Sequence, residues 1–184
     1  MDTQDTKGRI IKETFPSEMV SIVGDIFAGI VLTFLILPFK SVLVLLIIIP
    51  ALLSLRGNIT SPFIARTARD LIIGEFNVKS WIENVLATYL LSIVTALIIG
   101  LFSLLLDLLF FKYFLLPFEK LIYIPILSIF FTLSITIPIS TTLNYIIFIY
   151  GLNPNNIVNP VMTAIGDFAM VVCFYLTLLL LGVP

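Results

Sequence analysis

The sequence predicts an all-α, polytopic integral membrane protein whose chain crosses the bilayer five times, and three observations predict it. The first is composition: 60% of the 184 residues are hydrophobic and 11% are charged, against roughly 45–50% and about 25% in an ordinary soluble domain. With a mean hydropathy of +1.18, the chain cannot build the polar surface that a soluble fold needs. The second is arrangement. The apolar residues fall into five runs separated by short polar or Pro- and Gly-bearing segments, and a helical span needs about 20 such residues. The third is that the acids inside the runs are few: Asp25, Asp107 and Asp167.

Residues 1–18 are mostly polar and read as a short cytoplasmic N-terminal segment, with residues 19–184 forming a single five-helix transmembrane domain. A secretory signal would place its apolar core nearer the start and follow it with a small-residue cleavage site. The first run, about Met19 to Phe39, therefore reads as a retained helix. The second, Ser41 to Leu55, lies between Lys40 and Arg56. At 1.5 Å per residue it covers only about 22 Å of a ~30 Å hydrocarbon core. Either it continues through the polar stretch Arg56 to Pro62, which is tolerated at depth only inside protein or beside a wet cavity, or it is a short helix with an early loop. Thr67 to Asn84 mixes charged and apolar residues and reads as a surface-lying helix and connector. A third span runs from about Val85 to Phe111. A fourth runs from about Leu121 to Tyr150, with Pro125 and Pro138 as bending points. The turn Gly151 to Asn156 leads into the fifth, about Val158 to Val183, with Pro160 suited to its first turn.

Five spans put the termini on opposite sides. Lys7, Arg9, Lys12, Arg56, Arg66, Arg69 and Lys79 fall on one side, and Lys40, Lys112 and Lys120 on the other. This asymmetry predicts a cytoplasmic N-terminus and an outer C-terminus. An odd number of spans cannot hold two complete inverted halves, so pseudo-symmetry would have to come from a second subunit.

Composition excludes several chemistries. There is no His, hence no imidazole base, no His-ligated zinc and no His-containing triad. The single cysteine, Cys173, rules out an internal disulfide and a Cys-cluster metal site. A net charge of −1 without a basic run gives no nucleic-acid face, and no Gly-rich phosphate loop is present. Nothing points to an enzyme.

Ionisable groups at membrane depth face a protein interior or a cavity. Asp167 is the best placed: it lies about 10 Å along the helix from Pro160, with Thr163 one turn before it on the same face. Its own span holds no Lys or Arg. It reads either as a cation ligand or as a carboxyl group hydrogen-bonded to another helix. Asp25 faces a cavity mouth or stays wet near the cytoplasmic interface. Asp107 lies near the outer interface. Ser128, Thr132, Thr136, Ser140 and Asn144 recur every four residues, a ridge suited to close helix packing or to a pore wall. Asn144 is the strongest cavity candidate of that ridge. With no imidazole and no thiol cluster, the remaining donors are oxygens, which suit Mg²⁺, Ca²⁺ or Mn²⁺. So few carboxylates fit a site that holds Mg²⁺ largely through its waters.

The stretch Pro50-Ala51-Leu52-Leu53-Ser54-Leu55-Arg56-Gly57-Asn58, followed by Arg66, resembles the second-span signature P-x-L-x-x-x-x-G-N of the MgtE magnesium transporters and their eukaryotic solute-carrier relatives. Gly151 to Pro160, running on to Thr163 and Asp167, resembles the family's G-x-x-P-D-N … P … T-x-x-x-D. The two stretches come in the expected order within a five-span layout. The resemblance implies a divalent-cation channel or transporter working as a homodimer in the lipid bilayer, with its ion path at or near the twofold axis. It implies that Asp167 is the central ion-binding residue, with Asn58, Asn159 and Thr163 beside it. Asp25, Asn144 and Asn156 follow as secondary pathway candidates. Arg56, Gly57, Arg66 and Pro160 are expected to be structural or gating residues. Mg²⁺ is the expected substrate, with Mn²⁺ or Co²⁺ as alternatives. Two departures stand out: only about 18 residues take the place of the bacterial family's N-terminal regulatory region with its CBS domains, and Asn155 stands where Asp is common. Regulation of that kind would have to come from a separate chain. The compact layout suits a prokaryotic plasma membrane. A cation/proton or cation/sodium exchanger, and a non-transporting membrane scaffold or accessory subunit, remain the alternatives.

Overall fold

The computed structural model describes residues 6–35, 42–111 and 116–183. These residues form five helices long and apolar enough to cross a membrane: α1 (Lys7–Phe34), α2 (Leu45–Ile72), α3 (Val78–Leu106), α4 (Phe118–Ile149) and α5 (Pro154–Leu180). A single π-helical turn, Asp107–Phe111, continues α3. The end of the first apolar run at Phe39, together with Lys40, Ser41 and Lys112, lies outside the described residues.

Local chemistry sets the helix ends. Asn77 caps α3 by accepting from the Ser80 amide at 2.8 Å, and Asn153 caps α5 by accepting from the Asn155 amide at 3.0 Å. Each satisfies one of the amides that a helix start leaves unpaired. Pro154 opens α5, where its missing N–H costs nothing. The chain leaves α2 through Gly74 and α4 through Gly151, at φ +74° and +69°, a region open to glycine at little steric cost.

Three sequence expectations are corrected. First, α1 begins at Lys7, not near Met19. Glu13 explains why its polar start stays ordered: it binds Arg9 at 2.7 Å and the Asn156 side chain at 2.9 Å, clamping α1 to the α4–α5 turn. Second, the reading of Thr67 to Asn84 fails: α2 runs unbroken from Leu45 to Ile72, continuing through Arg56, Gly57 and Pro62 as the shortness of the Ser41–Leu55 run required. Thr67 to Asn84 is therefore no surface helix: it comprises the end of α2, a short connector and the start of α3. There the Trp81 indole donates to Thr141 of α4 at 3.0 Å. Third, Pro160 lies well inside α5, not in its first turn. A proline there offers no N–H to the carbonyl four residues back, that of Asn156, and Ser17 of α1 brings its hydroxyl to within 3.2 Å of that oxygen.

The core is a three-helix contact of α2, α4 and α5. Leu52, Phe63, Leu133, Met170 and Phe174 are fully buried there. The hydroxyl ridge of α4 packs inward: Ser128, Thr132, Thr136, Ser140 and Asn144 are all buried. Thr132 and Thr136 return their hydroxyls to the carbonyls of Ser128 and Thr132. A matching stripe of small residues on α3, Thr88, Ser92, Ala96 and Gly100, is also buried. At Gly100 a Cβ would lie 3.0 Å from the Ile122 Cα, so α3 and α4 cross at backbone contact, as small residues allow in lipid. Among the described residues α1 packs on α5 alone, and Ile22, Val23, Ile26, Ile30 and Phe34 stay exposed.

Candidate functional site

Asp167 stands midway along α5, with thirteen residues to either end, or about 20 Å each way. That places it at the centre of the bundle's height. Its partner comes from α2: Nη2 of Arg56 donates to Asp167 Oδ1 in an ion pair. Arg56 also donates through Nη1 to the Met162 carbonyl at 3.2 Å. The Arg56 side chain is 5% exposed and that of Asp167 25% exposed, so the arginine is embedded and the carboxylate looks outward.

A polar strip continues along the same face of α5. Thr163, one turn before Asp167, is exposed and donates back to the Asn159 carbonyl at 3.0 Å. Asn159 is half-buried, and its side-chain Oδ1 makes no hydrogen bond. Asp25, exposed on α1, is close enough for its charge to interact with both Asp167 and Arg56. The structure thus gathers Thr163, Asp167 and Asp25 near one outward face, with Arg56 behind it and the Asn159 Oδ1 buried one turn before Thr163. Beside this strip the groove between α1 and α5 is apolar, lined by Val20, Phe27, Val161 and Phe168. Among the described residues no three Asp, Glu or Cys side chains cluster as a metal cage.

Other sequence candidates lie elsewhere in the subunit. Asn58 is exposed on α2 and, with Ser54 and Thr95, lines a groove between α2 and α3, so one subunit does not bring it to Asp167. Gly57 is half-buried beside it, with open space around its Cα. Arg66 donates to Asn84 at 2.8 Å, pinning α2 to α3. Asn144 is fully buried and donates to the Ile64 carbonyl at 3.1 Å, which ties α4 to α2. Asn156 is engaged with Glu13 and Ser17.

Sequence reasoning missed two features. The pairing of Arg56 with Asp167 had a signal: a lone carboxylate in one span and a lone arginine at similar depth in another. Asp107 is only 1% exposed and neither carboxylate oxygen has a hydrogen-bond partner. It opens the π turn, and nothing in its spacing marks it as buried.

A five-helix membrane protein with an ion pair at mid-depth and a polar strip facing outward belongs with proteins that handle charge in the bilayer. The family model of MgtE, described as a divalent cation transporter, matches residues 49–177. That match spans α2 to nearly the end of α5, more than two thirds of the chain, and the chain belongs to the MgtE family. Neither a search of curated proteins nor one of solved structures gives a match.

Proposed function

We propose that this protein moves a divalent cation, Mg²⁺ in the first place, across a plasma membrane through a path at the twofold axis of a homodimer. Asp167 is its central group. The observation that carries the reading is the pair Thr163 and Asp167 on one face of α5, with Thr163 exposed and the mid-depth Asp167 partly open on the subunit's surface. Polar and charged groups at that depth do not face lipid, and a second copy of the same strip would cover them and enclose water. Two Asp167 carboxylates near one axis would repel unless a cation sits between them. Only oxygen donors line the strip, which suits a hard cation held partly through its waters. With a cytoplasmic N-terminus, as the basic residues favour, a 100 mV potential supplies about 4.6 kcal/mol per divalent ion.

The ion pair gives a second reading its support: Asp167 could serve only to hold α2 to α5 in a membrane scaffold. Cross-linking separates the two. In a Cys173→Ser background, Thr163→Cys should form a covalent dimer in the membrane with short thiol reagents. Mg²⁺ should slow that reaction, and Mn²⁺ and Co²⁺ should slow it less. A protein that never cross-links at residue 163, yet is folded, contradicts the axial path.

A further inference from the structure

Asp167 already holds a cation here, and that cation belongs to the chain. Arg56 reaches it from α2 by lying across Gly166. A Cβ at position 166 would stand 2.8 Å from the Arg56 Cζ and 3.0 Å from its Cδ, so any larger residue would push the guanidinium off this route. The arginine is held incompletely. Its Nε is buried without a hydrogen-bond partner, and it meets one carboxylate oxygen of Asp167, not both, whereas a guanidinium is built to bind both at once.

The geometry points to Arg56 as a tethered competitor for the substrate site: its guanidinium occupies Asp167 when no divalent cation is bound and leaves when one binds. Gly166 is the positioning residue that admits it. This rests on the reading of Asp167 as the central substrate group. Guanidinium and metal compete for that carboxylate, because two cations on its two oxygens repel each other strongly at this depth. Asp25, exposed on α1 next to Gly24 where α1 crosses α5 at Ala164, is a second carboxylate near this side of α5. The device gives an empty site an internal counter-charge, so that neither a bare carboxylate nor a bare arginine is left in the bilayer.

The test is Mn²⁺ binding, followed by electron paramagnetic resonance on the full chain in lipid nanodiscs. A competitor that fills the site 90–99% of the time weakens apparent affinity about 10- to 100-fold. Arg56→Gln removes the competitor. Gly166→Ala keeps its charge but blocks its route. Both should bind Mn²⁺ at least ~10-fold more tightly than the wild type, and Asp167→Asn should abolish that binding. The Gly166→Ala result stands alone if Arg56→Gln does not fold. Unchanged affinity in folded Gly166→Ala and Arg56→Gln, with binding still lost in Asp167→Asn, overturns the competition and leaves the transport reading intact. Mn²⁺ binding that ignores Asp167 in every variant overturns both.

Discussion

Gly24→Ala tests the crossing of α1 on α5, the one helix against which α1 packs among the described residues. An alanine Cβ at position 24 would overlap the Ala164 Cβ and stand 3.3 Å from the Ala164 Cα. Carbon atoms pack at about 3.5–4.0 Å, and the obstacle is partly backbone, so α1 must retreat by about 1 Å. A gap of 0.5–1 Å forfeits about a quarter to a half of each dispersion contact along the crossing. Apart from the polar clamp of Arg9 and Glu13 on the α4–α5 turn, no other described helix packs on α1. Overpacking of this kind costs about 1–3 kcal/mol, a fall of about 5- to 150-fold in the folded-to-unfolded ratio. Reversible unfolding in mixed lipid–detergent micelles measures it. Ala164→Gly in the same chain removes the obstacle and should restore most of the loss. Gly29→Ala, where an added Cβ meets nothing, should be neutral or mildly stabilising. A Gly24→Ala protein as stable as wild type, or a Gly24→Ala/Ala164→Gly protein no better than the single variant, refutes the close crossing.

Three further outcomes follow from the packing. Asp167→Leu removes the ion-pair partner of the buried Arg56 and should cost about 3–5 kcal/mol in the same unfolding assay, whereas Arg56→Met/Asp167→Leu should recover most of it. Asp107→Leu removes a buried carboxyl that has no hydrogen-bond partner and should stabilise the fold by about 1–3 kcal/mol, read as a higher unfolding midpoint. Asn144→Val removes the buried hydrogen bond to the Ile64 carbonyl at a cost of about 1 kcal/mol. It should leave cation flux per folded molecule unchanged, since Asn144 packs between helices; a lost flux would return it to the pathway.

How much of this was legible depended on where the relevant forces act. The ends of α4 and the five-span count follow from apolar runs and the Asn- and Pro-bearing turn near Gly151, which are local signals. The continuity of α2 was legible from length, since Ser41 to Leu55 alone is too short to span, but its cause was not, because Arg56, Gly57 and Pro62 look like a break. What keeps that helix whole includes a partner 111 residues away, Asp167, and a Thr60 hydroxyl returned to the Arg56 carbonyl at 2.8 Å. The start of α1 was hidden for the same reason: its polar first turns are held by Asn156 and the turn before it. Asp167 itself stood out as a lone carboxylate in an apolar helix, and Thr163 and Asn159 followed by helical spacing. Asn58 was grouped with them through the family resemblance, but periodicity cannot say which neighbouring helix a face meets. In one subunit that face meets α3.

The most direct test of the account is potential-driven Mg²⁺ entry into liposomes containing the purified protein, with wild type beside Asp167→Asn and Asp167→Ala. The account predicts uptake that rises with an inward-directed potential and is lost in both variants, while the variants remain folded and inserted. Folded, inserted wild-type protein that passes no Mg²⁺, Mn²⁺ or Co²⁺, or Asp167→Ala protein that passes Mg²⁺ at the wild-type rate, would contradict it.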